Sequence, residues 1–519
     1  MRAALALCLA IGLIPGAAMA AGDASLADAM MNRDVDTVHA LLETKADVNA
    51  PGRDGTPALD WAVRYDDLDT AKLLVTAGAD VNAKTRYGIT PLYLAASNGD
   101  IGMIDMLLEA KADPNATDNT GETMLMAAVR GGSADAVSAL LKHGAEVDAR
   151  EPHFQQTALM IAVREDHPDI VKLLIDHKAD VNAQTRLGDV PKFRLPSSNR
   201  GSHGTGIVRG GWPARGMRNP ASGLMTPLLY AARDGHLSSA EMLVAAGADI
   251  EKPEANELTP LVMAITNANF DIARFLIEHN AKINVADFYG RTPLWAAIDV
   301  RDLDVDGNTR DNHVDREAAF KLIQTLLDKG ANPNARVKEV PPDRRWLTPL
   351  GSLEWVDFTG QTPFIRAAVS GDVEVMKLLL KYHADPNLMT NSNTTALMAA
   401  AGINWVVNQT YDEGPDKLLE AVKMCVDLGQ DVNAVNTMGL AAIHGAANRG
   451  SDDIIEYLVS KGARLDVADK EGRTPLTWAQ GVFLASVTAE PKPSTIALIK
   501  RLTGEASAEP SGDKQTAAR

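Results

Sequence analysis

Apolar residues along this chain fall into short clusters that have the spacing of helices. Residues 87–116 contain two such clusters. The first is short and rich in alanine, and it consists of Leu92, Ala95 and Ala96. The second has the three- and four-residue spacing of one helix face, and it consists of Ile101, Ile104, Leu107 and Leu108. The pattern predicts an inner helix with small side chains, followed by an outer helix that buries one face.

Turn and capping residues mark the ends of the predicted inner helix. Gly88 permits a tight turn in front of it, where a side chain would clash. Thr90 supplies a hydroxyl for the N-cap, and Pro91 suits the first helical position, where no backbone N–H is needed. Gly99 is expected to end the helix.

The same arrangement returns along the chain at a nearly constant interval. The capping residue stands at Thr90, Thr123, Thr157, Thr226, Thr259, Thr292, Thr362, Thr395, Ala441 and Thr474, with a shifted copy at Thr56–Pro57. Most steps are 33 or 34 residues, two are 69 and 70, and one is 46. This period predicts a solenoid of stacked helix pairs, because one pair cannot bury its own apolar face. Such a fold offers surfaces rather than an enclosed pocket.

The repeated phrase of Thr-Pro-Leu, a pair of alanines and Gly-Ala-Asp-Val-Asn resembles the ankyrin repeat. The resemblance implies an all-α ankyrin-repeat solenoid whose units are joined by hairpin turns, or fingers. We expect one N-terminal cap and about eleven repeats. The usual histidine is absent from most copies, and His444 is the nearest match. The chain also resembles exported bacterial multi-ankyrin proteins of unassigned activity.

Residues 1–20 have the features of an export signal. Arg2 is the positive start, an apolar run follows, and residues 18–20 form a small-residue cleavage site. The run is too short for a permanent membrane helix, and we expect no stable membrane anchor. The sequence therefore predicts an exported protein, either periplasmic or secreted.

The composition narrows the expected partners. A formal net charge of −17 disfavours nucleic acid as a partner, and we expect a monomer that binds another protein.

Cys425 occupies a helix position that is usually apolar, which predicts a buried thiol rather than a reactive one. No nucleophile–base motif, phosphate loop or metal-binding cysteine pattern is present, so we expect no catalysis and no cofactor other than calcium.

The departures from the period divide the chain. The expected segments are the signal at 1–20, repeats at 21–186, a basic finger insertion at 187–223, repeats at 224–336 with a loop insertion at 299–314, a Trp-rich finger insertion at 337–359, repeats at 360–503 and a disordered tail at 504–519.

Both finger insertions are candidate contact sites. The basic insertion carries Arg209, Trp212 and Arg215, which suit an anionic partner, although a solvated loop explains the same residues. The Trp-rich insertion carries Trp346 and Trp355, which are typical of binding hot spots, or which pack on the protein's own flank.

The loop insertion at 299–314 begins like a calcium loop. Asp302, Asp304 and Asp306 alternate before a glycine, as the first ligands of such a loop do. The twelfth position is His313 rather than glutamate, and aspartate is also a common loop residue. Calcium is therefore one interpretation of this loop, and a plain connection is the other.

Arginine recurs where the resemblance places the concave face. These positions hold Arg64 with Tyr65, then Arg130, Arg164 and Arg233, and a neighbouring finger adds Arg86 and Tyr87. Arginine binds carboxylates through two parallel hydrogen bonds, which suits a partner protein with an acidic surface, and solubility is the alternative explanation for arginine at these positions. The leading prediction is a non-catalytic interaction scaffold or adaptor. The alternatives are a small-ligand or calcium-tuned module and an exported effector that acts on a host protein.

Overall fold

A computed structural model describes residues 25–188, 222–302, 314–339, 359–405, 411, 413–482 and 490–504. The regular elements of these residues are all α-helices, with one isolated β-bridge between Thr117 and Thr123. None of the described helices combines the length and the apolar character that a membrane span requires. The chain divides into two compact units, of which the first comprises Met1–Pro152 and Asp176–Ala179 and the second comprises His153–Ile175 and Asp180–Arg519.

The first unit contains four helix pairs. Its helices are α1 Leu26–Met31, α2 Val35–Glu43, α3 Ala58–Arg64, α4 Leu68–Thr76, α5 Pro91–Asn98, α6 Ile101–Glu109, α7 Met124–Arg130 and α8 Ala134–Lys142. The inner helices α1, α3, α5 and α7 pack side by side in chain order. Each outer helix packs on the inner helix of its own pair.

The described chain continues with eight further pairs. Their helices are α9 Ala158–Arg164, α10 Pro168–Asp176, α11 Pro227–Asp234, α12 Leu237–Ala245, α13 Pro260–Thr266, α14 Phe270–Glu278, α15 Pro293–Arg301, α16 Arg316–Asp328, α17 Pro363–Ser370, α18 Val373–Lys381, α19 Ala396–Ala401, α20 Pro415–Asp427, α21 Ala442–Arg449, α22 Asp452–Ser460, α23 Pro475–Ala479 and α24 Pro493–Thr503. The inner helices α9 to α23 again pack on one another in order. The all-α repeat prediction is confirmed.

The capping residues act as the sequence predicts. The Thr90 hydroxyl accepts a hydrogen bond from the Tyr93 backbone N–H at 3.2 Å, and Pro91 opens α5. Gly99 ends the helix with a φ of 71°, a left-handed conformation that costs a glycine little. In the shifted copy it is Pro57, not Thr56, that stands at the N-cap of α3.

An asparagine near the start of most fingers ties its repeat to the next. The Asn115 side chain donates to the Gly144 carbonyl at 3.1 Å and accepts from the Glu146 N–H at 2.8 Å. The same pair of bonds is made by Asn49, Asn82, Asn182, Asn284, Asn334 and Asn433. We call this set the asparagine ladder.

The asparagine ladder continues past the finger insertions. Asn182 bonds to the carbonyl of Gly247, 65 residues away, and Asn334 bonds to that of His383, 49 residues away. Each of these bonds joins consecutive repeats of the second unit even though an insertion lies between them. These bonds therefore join the repeats without using inserted residues.

The core is apolar with a few exceptions. Cys425 is fully buried, as predicted, and burial raises the pKa of its thiol to about 12. Asp60 of α3 is a charged exception in the first unit, because it is 1% exposed and neither carboxylate oxygen has a hydrogen-bond partner among the described residues. Burial, with a smaller contribution from the charge of Asp54, raises the pKa of Asp60 to about 7.

Removing one rung of the asparagine ladder should lower stability measurably. Asn115→Ala deletes both hydrogen bonds to the following repeat, and we expect the free energy of unfolding to fall by about 1–2 kcal/mol in urea titrations followed by circular dichroism. Asn98→Ala is the control, since Asn98 is exposed and should change stability by less than about 0.5 kcal/mol. Equal effects of the two variants would contradict a structural role for the ladder.

Asp60 should make the first unit less stable as the pH rises. The carboxyl group holds its proton in the folded state up to about pH 7 but loses it near pH 4 when unfolded, so its stabilising contribution is complete at low pH and is lost as the pH rises through about 7. Between about pH 5 and 8 the loss is on the order of 3 kcal/mol. Asp60→Asn should remove this dependence in thermal melts, and an unchanged pH profile would refute the assignment.

Candidate functional site

The solvent exposure of one residue in each repeat distinguishes repeats with an open face from repeats with a covered face. This register position lies seven residues after the helix N-cap, at the end of the inner helix. In the first unit it is occupied by Arg64, Ser97 and Arg130, of which both arginines are exposed and Ser97 is half-buried. This is the face where the sequence predicts partner contacts.

Four residues at the start of the first unit form a stacked series. The Arg33 guanidinium lies 4.1 Å from the centre of the Tyr65 ring, and Tyr65 stacks on Trp61 with 5.6 Å between ring centres and an angle of 28°. The Arg64 guanidinium lies 5.5 Å from the centre of the Trp61 ring. The Tyr65 hydroxyl donates to the Met31 carbonyl at 2.9 Å and so fixes its ring. We call Arg33, Trp61, Arg64 and Tyr65 the arginine–aromatic ladder.

The finger between α4 and α5 repeats this motif on a smaller scale. Arg86 lies 4.6 Å from the centre of the Tyr87 ring, and Tyr87 is 60% exposed. The Thr56 backbone N–H donates to the Asp54 carboxylate and lowers the pKa of Asp54, and the charge of Arg86 adds a smaller lowering. Stacking holds the guanidinium over a ring while its N–H edge stays available.

The predicted arginines separate into two groups. Arg64 and Arg86 form no ion pair within the described part of the chain, and neither does Arg33, which the sequence did not single out. The remaining three each contact an acidic neighbour: Arg130 lies 2.7 Å from Glu122, Arg233 lies 2.7 Å from Asp234, and Arg164 lies 3.6 Å from Glu165. The charge of the second group is therefore satisfied locally, and the first group is the better equipped to bind carboxylates from a partner.

Several predicted contact residues cannot be placed. Arg209, Trp212, Arg215, Trp346 and Trp355 all lie outside the described residues, as do Asp304 and Asp306.

Asp302 lies in a buried charge cluster. Helix α15 continues to Arg301, so Asp302 is its C-cap rather than a residue of an open loop, and it is fully buried. Arg301 lies 2.6 Å from Asp372, and Arg366 lies 2.5 Å from Asp299. The Arg366 guanidinium also donates to the Asp302 carbonyl at 2.9 Å. Arg316 completes the cluster at 3.6 Å from the Asp302 carboxylate.

The cluster lies where two connections between paired helices meet. One of these connections follows α15 and the other follows α19. The Tyr411 N–H donates to the Asp302 carbonyl at 3.0 Å, and the Glu413 N–H donates to the Ser370 carbonyl at 3.2 Å. The Glu413 carboxylate is ion-paired with Arg316.

Burial governs the electrostatics of the cluster. It raises the pKa of Asp302 well above its ordinary value, and the neighbouring Asp372 adds to this, while Arg366, Arg316 and Arg301 oppose it. Burial likewise raises the pKa of Glu413 against the influence of Arg316. Both Asp302 carboxylate oxygens lack a hydrogen-bond donor among the described residues, although two guanidinium groups lie within 4.0 Å.

The cluster does not reproduce the predicted calcium loop. Ligand atoms of Asp302, Asp372 and Glu413 lie within 4.8 Å of one another, but they come from three separate parts of the chain. Arg301 and Arg316 already contact these carboxylates, and they neutralise them as a metal ion would. Calcium binding through Asp302, Asp304 and Asp306 stays a prediction.

The same register position is covered in this part of the second unit. Asp299, Val369 and Gly402 are all buried, whereas Arg164, Arg233 and Thr266 earlier in the unit are half-buried. Near the first three, the described residues Tyr411 and Glu413 donate to the carbonyl groups of Asp302 and Ser370.

Sequence reasoning missed the residues that build both features. Arg33 and Trp61 were not among the candidates, nor were Arg316, Arg366 and Asp372. A signal for Arg366 exists, because it stands four residues after its capping threonine, where other repeats have residues such as Ala127, Ile161, Met263 or Ala296. A charge at a core position predicts a buried ion pair, but its partners cannot be read from the sequence.

Comparison with known proteins identifies the family. A family model described as ankyrin repeats in three copies matches residues 8–85, 26–118, 92–185, 228–306, 317–418 and 414–482. The matches cover most of the chain, and the chain belongs to the ankyrin repeat family. Proteins of this family are generally interaction modules without catalytic activity.

Individual relatives resemble parts of the chain. A putative ankyrin repeat protein, L271, of Acanthamoeba polyphaga mimivirus is 38% identical over 65 residues, which is 12% of this chain and 9% of that protein. The probable 26S proteasome regulatory subunit p28 of Saccharomyces cerevisiae is 34% identical over 126 residues, which is 24% of this chain and 50% of that protein. The chain thus matches half or less of the length of these relatives. The crystal structure of the ankyrin repeat domain of Bcl-3 is similar at 22% identity with a TM-score of 0.38, and the match covers 47% of this chain and 95% of that one.

Buried and exposed arginines should respond differently to substitution. Arg366→Leu leaves Asp299 without its guanidinium partner in the protein interior, and we expect the free energy of unfolding to fall by about 3–5 kcal/mol. Arg130→Leu breaks an ion pair whose arginine side chain is 43% exposed, and the expected loss is at most about 1 kcal/mol. Urea denaturation measures the free energy of unfolding of both variants. A loss for Arg366→Leu as small as that for Arg130→Leu would contradict a buried ion pair between Arg366 and Asp299.

Proposed function

We propose that this protein is a non-catalytic scaffold that binds another protein through the open face of its first unit. The observation that supports this most directly is the arginine–aromatic ladder. It presents two stacked guanidinium groups, those of Arg33 and Arg64, with no acidic partner among the described residues. Packing of the helices requires neither arginine, since both side chains lie outside the core.

The chemistry of the ladder favours a partner with an acidic surface. An arginine that lies over an aromatic ring loses little conformational freedom on binding, and its planar edge can donate two parallel hydrogen bonds to one carboxylate. The chain as a whole carries a net charge of −17, so an acidic partner is attracted only where arginines are concentrated. Arg86 and Tyr87 extend the same chemistry to the adjoining finger.

The proposed place of action is outside the cytoplasm. Residues 1–20 have the sequence of an export signal, and we infer that the remaining chain acts in the periplasm or after secretion. Cell fractionation together with N-terminal sequencing of the mature protein tests this point. A chain recovered in the cytoplasm with Met1 intact would refute it without affecting the proposed binding face.

The binding proposal is tested with an acidic peptide probe. A fluorescein-labelled peptide rich in Glu and Asp is titrated with the wild type and with the double variant Arg33→Glu/Arg64→Glu. We expect the double variant to bind at least tenfold more weakly, because two charge-assisted contacts become repulsive. The matched control is Lys72→Glu/Lys142→Glu, which makes the same charge change at exposed positions of the outer helices α4 and α8.

Two outcomes would overturn the proposal. One is equal binding by the wild type and the Arg33→Glu/Arg64→Glu variant. The other is an equal loss in the Lys72→Glu/Lys142→Glu control, which would show attraction by overall charge alone. Circular dichroism of each variant confirms that the helices are retained.

A further inference from the structure

Tyr411 and Glu413 lie on the second unit in the way that a bound peptide would. Both contribute a backbone N–H to carbonyl groups at the ends of inner helices, Tyr411 to Asp302 at 3.0 Å and Glu413 to Ser370 at 3.2 Å. Their side chains converge on one residue, Arg316. The Tyr411 ring centre lies 4.0 Å from the Arg316 guanidinium, and the Glu413 carboxylate is ion-paired with the same group.

The surface beneath this pair is held in place by other residues. Arg316 donates to the Arg301 carbonyl, and it lies 3.6 Å from the carboxylate of Asp302 and 3.7 Å from that of Asp372. Arg301 is itself fixed by Asp372 at 2.6 Å. The guanidinium is therefore positioned by contacts that do not involve Tyr411 or Glu413, as expected of a preformed recognition surface.

The stack of helices does not require the pair. The inner helices α15, α17 and α19 pack through their own apolar residues, and the connection that carries Tyr411 and Glu413 is additional to the repeat period. Tyr411 remains 38% exposed, so its ring covers Arg316 without entering the core. The pair supplies one aromatic ring, one carboxylate and two backbone donors, which together match the cation and the two carbonyl groups beneath.

We propose that Arg316, with the carbonyl groups of Asp302 and Ser370, forms a peptide-binding site that Tyr411 and Glu413 occupy as an internal ligand. The external partner that this site fits is a peptide with an aromatic residue two positions before a carboxylate. This site lies in the second unit and is independent of the arginine–aromatic ladder in the first. Because the internal ligand is tethered, its effective concentration is high, and an external peptide competes for the site only when the internal contacts are weakened.

The test uses a separate peptide with the sequence of the internal segment as the probe. A fluorescein-labelled peptide with the sequence of residues 408–414, Asn-Gln-Thr-Tyr-Asp-Glu-Gly, is titrated with the full chain. The double variant Tyr411→Ala/Glu413→Ala vacates the site, and we expect it to bind the peptide at least tenfold more tightly than the wild type. A peptide with Ala in place of Tyr and Gln in place of Glu should not bind.

Matched variants separate recognition from general loosening of the structure. Lys417→Ala/Glu420→Ala removes two exposed ion pairs of the adjoining helix α20, that of Glu420 with Lys417 at 3.0 Å and that of Glu420 with Lys377 at 2.8 Å, and it should bind the peptide no better than the wild type. Arg316→Gln added to the double variant should abolish the gain. Hydrogen exchange supplies a second readout, since the Tyr411→Ala/Glu413→Ala variant should lose protection at the backbone N–H groups of residues 411 and 413, which donate to the carbonyl groups of Asp302 and Ser370.

The proposal is wrong if the Tyr411→Ala/Glu413→Ala variant binds the peptide no more tightly than the wild type, or if Arg316→Gln leaves the gain intact. The connection then serves structure alone. Should the double variant fail to fold, Glu413→Gln keeps the size of the side chain and removes only its charge. This single variant should still show a smaller gain in peptide affinity, and the absence of any gain would equally overturn the proposal.

Discussion

The hydrogen bonds of one asparagine in most repeats hold this protein in register. A single helix pair has too little apolar surface to fold alone, so each pair must be placed against its neighbour. Asn115 shows how this is done, with one donor and one acceptor directed at the backbone of the following repeat. Asn182 and Asn334 make the same bonds between repeats that a finger insertion separates in the sequence.

The residue seven positions after the N-cap of the inner helix has different surroundings in the two units. In the first unit, Arg64 stacks on Trp61 and stays exposed. In the second unit, the equivalent residues Asp299 and Val369 are buried. The open face has guanidinium groups without acidic partners, and the covered face has a guanidinium group, that of Arg316, already joined to the chain's own Glu413. Both arrangements rest on arginine held in position by neighbouring groups.

Local chemistry explains which sequence predictions succeeded. Thr90, Pro91 and Gly99 cap and end α5 as predicted, because capping depends on residues adjacent in the chain. Cys425 is buried as predicted, because helical spacing alone assigns it to the apolar face. Arg33 was missed since its partner, Tyr65, lies in the next repeat. Calcium binding at Asp302 stays a prediction, and the sequence did not show that Arg316 and Arg366 lie within 4.0 Å of its carboxylate.

The sequence by itself determined the family, the helix pairs and their order, because a period of 33 or 34 residues repeats the same local signals. It also determined where the chain departs from that period. Only the tertiary structure decided which arginines are free and which are paired, and that Tyr411 and Glu413 return to Arg316. The reason is physical: an ion pair depends on distance in space, and residues 97 positions apart along the chain become neighbours only after the repeats have stacked.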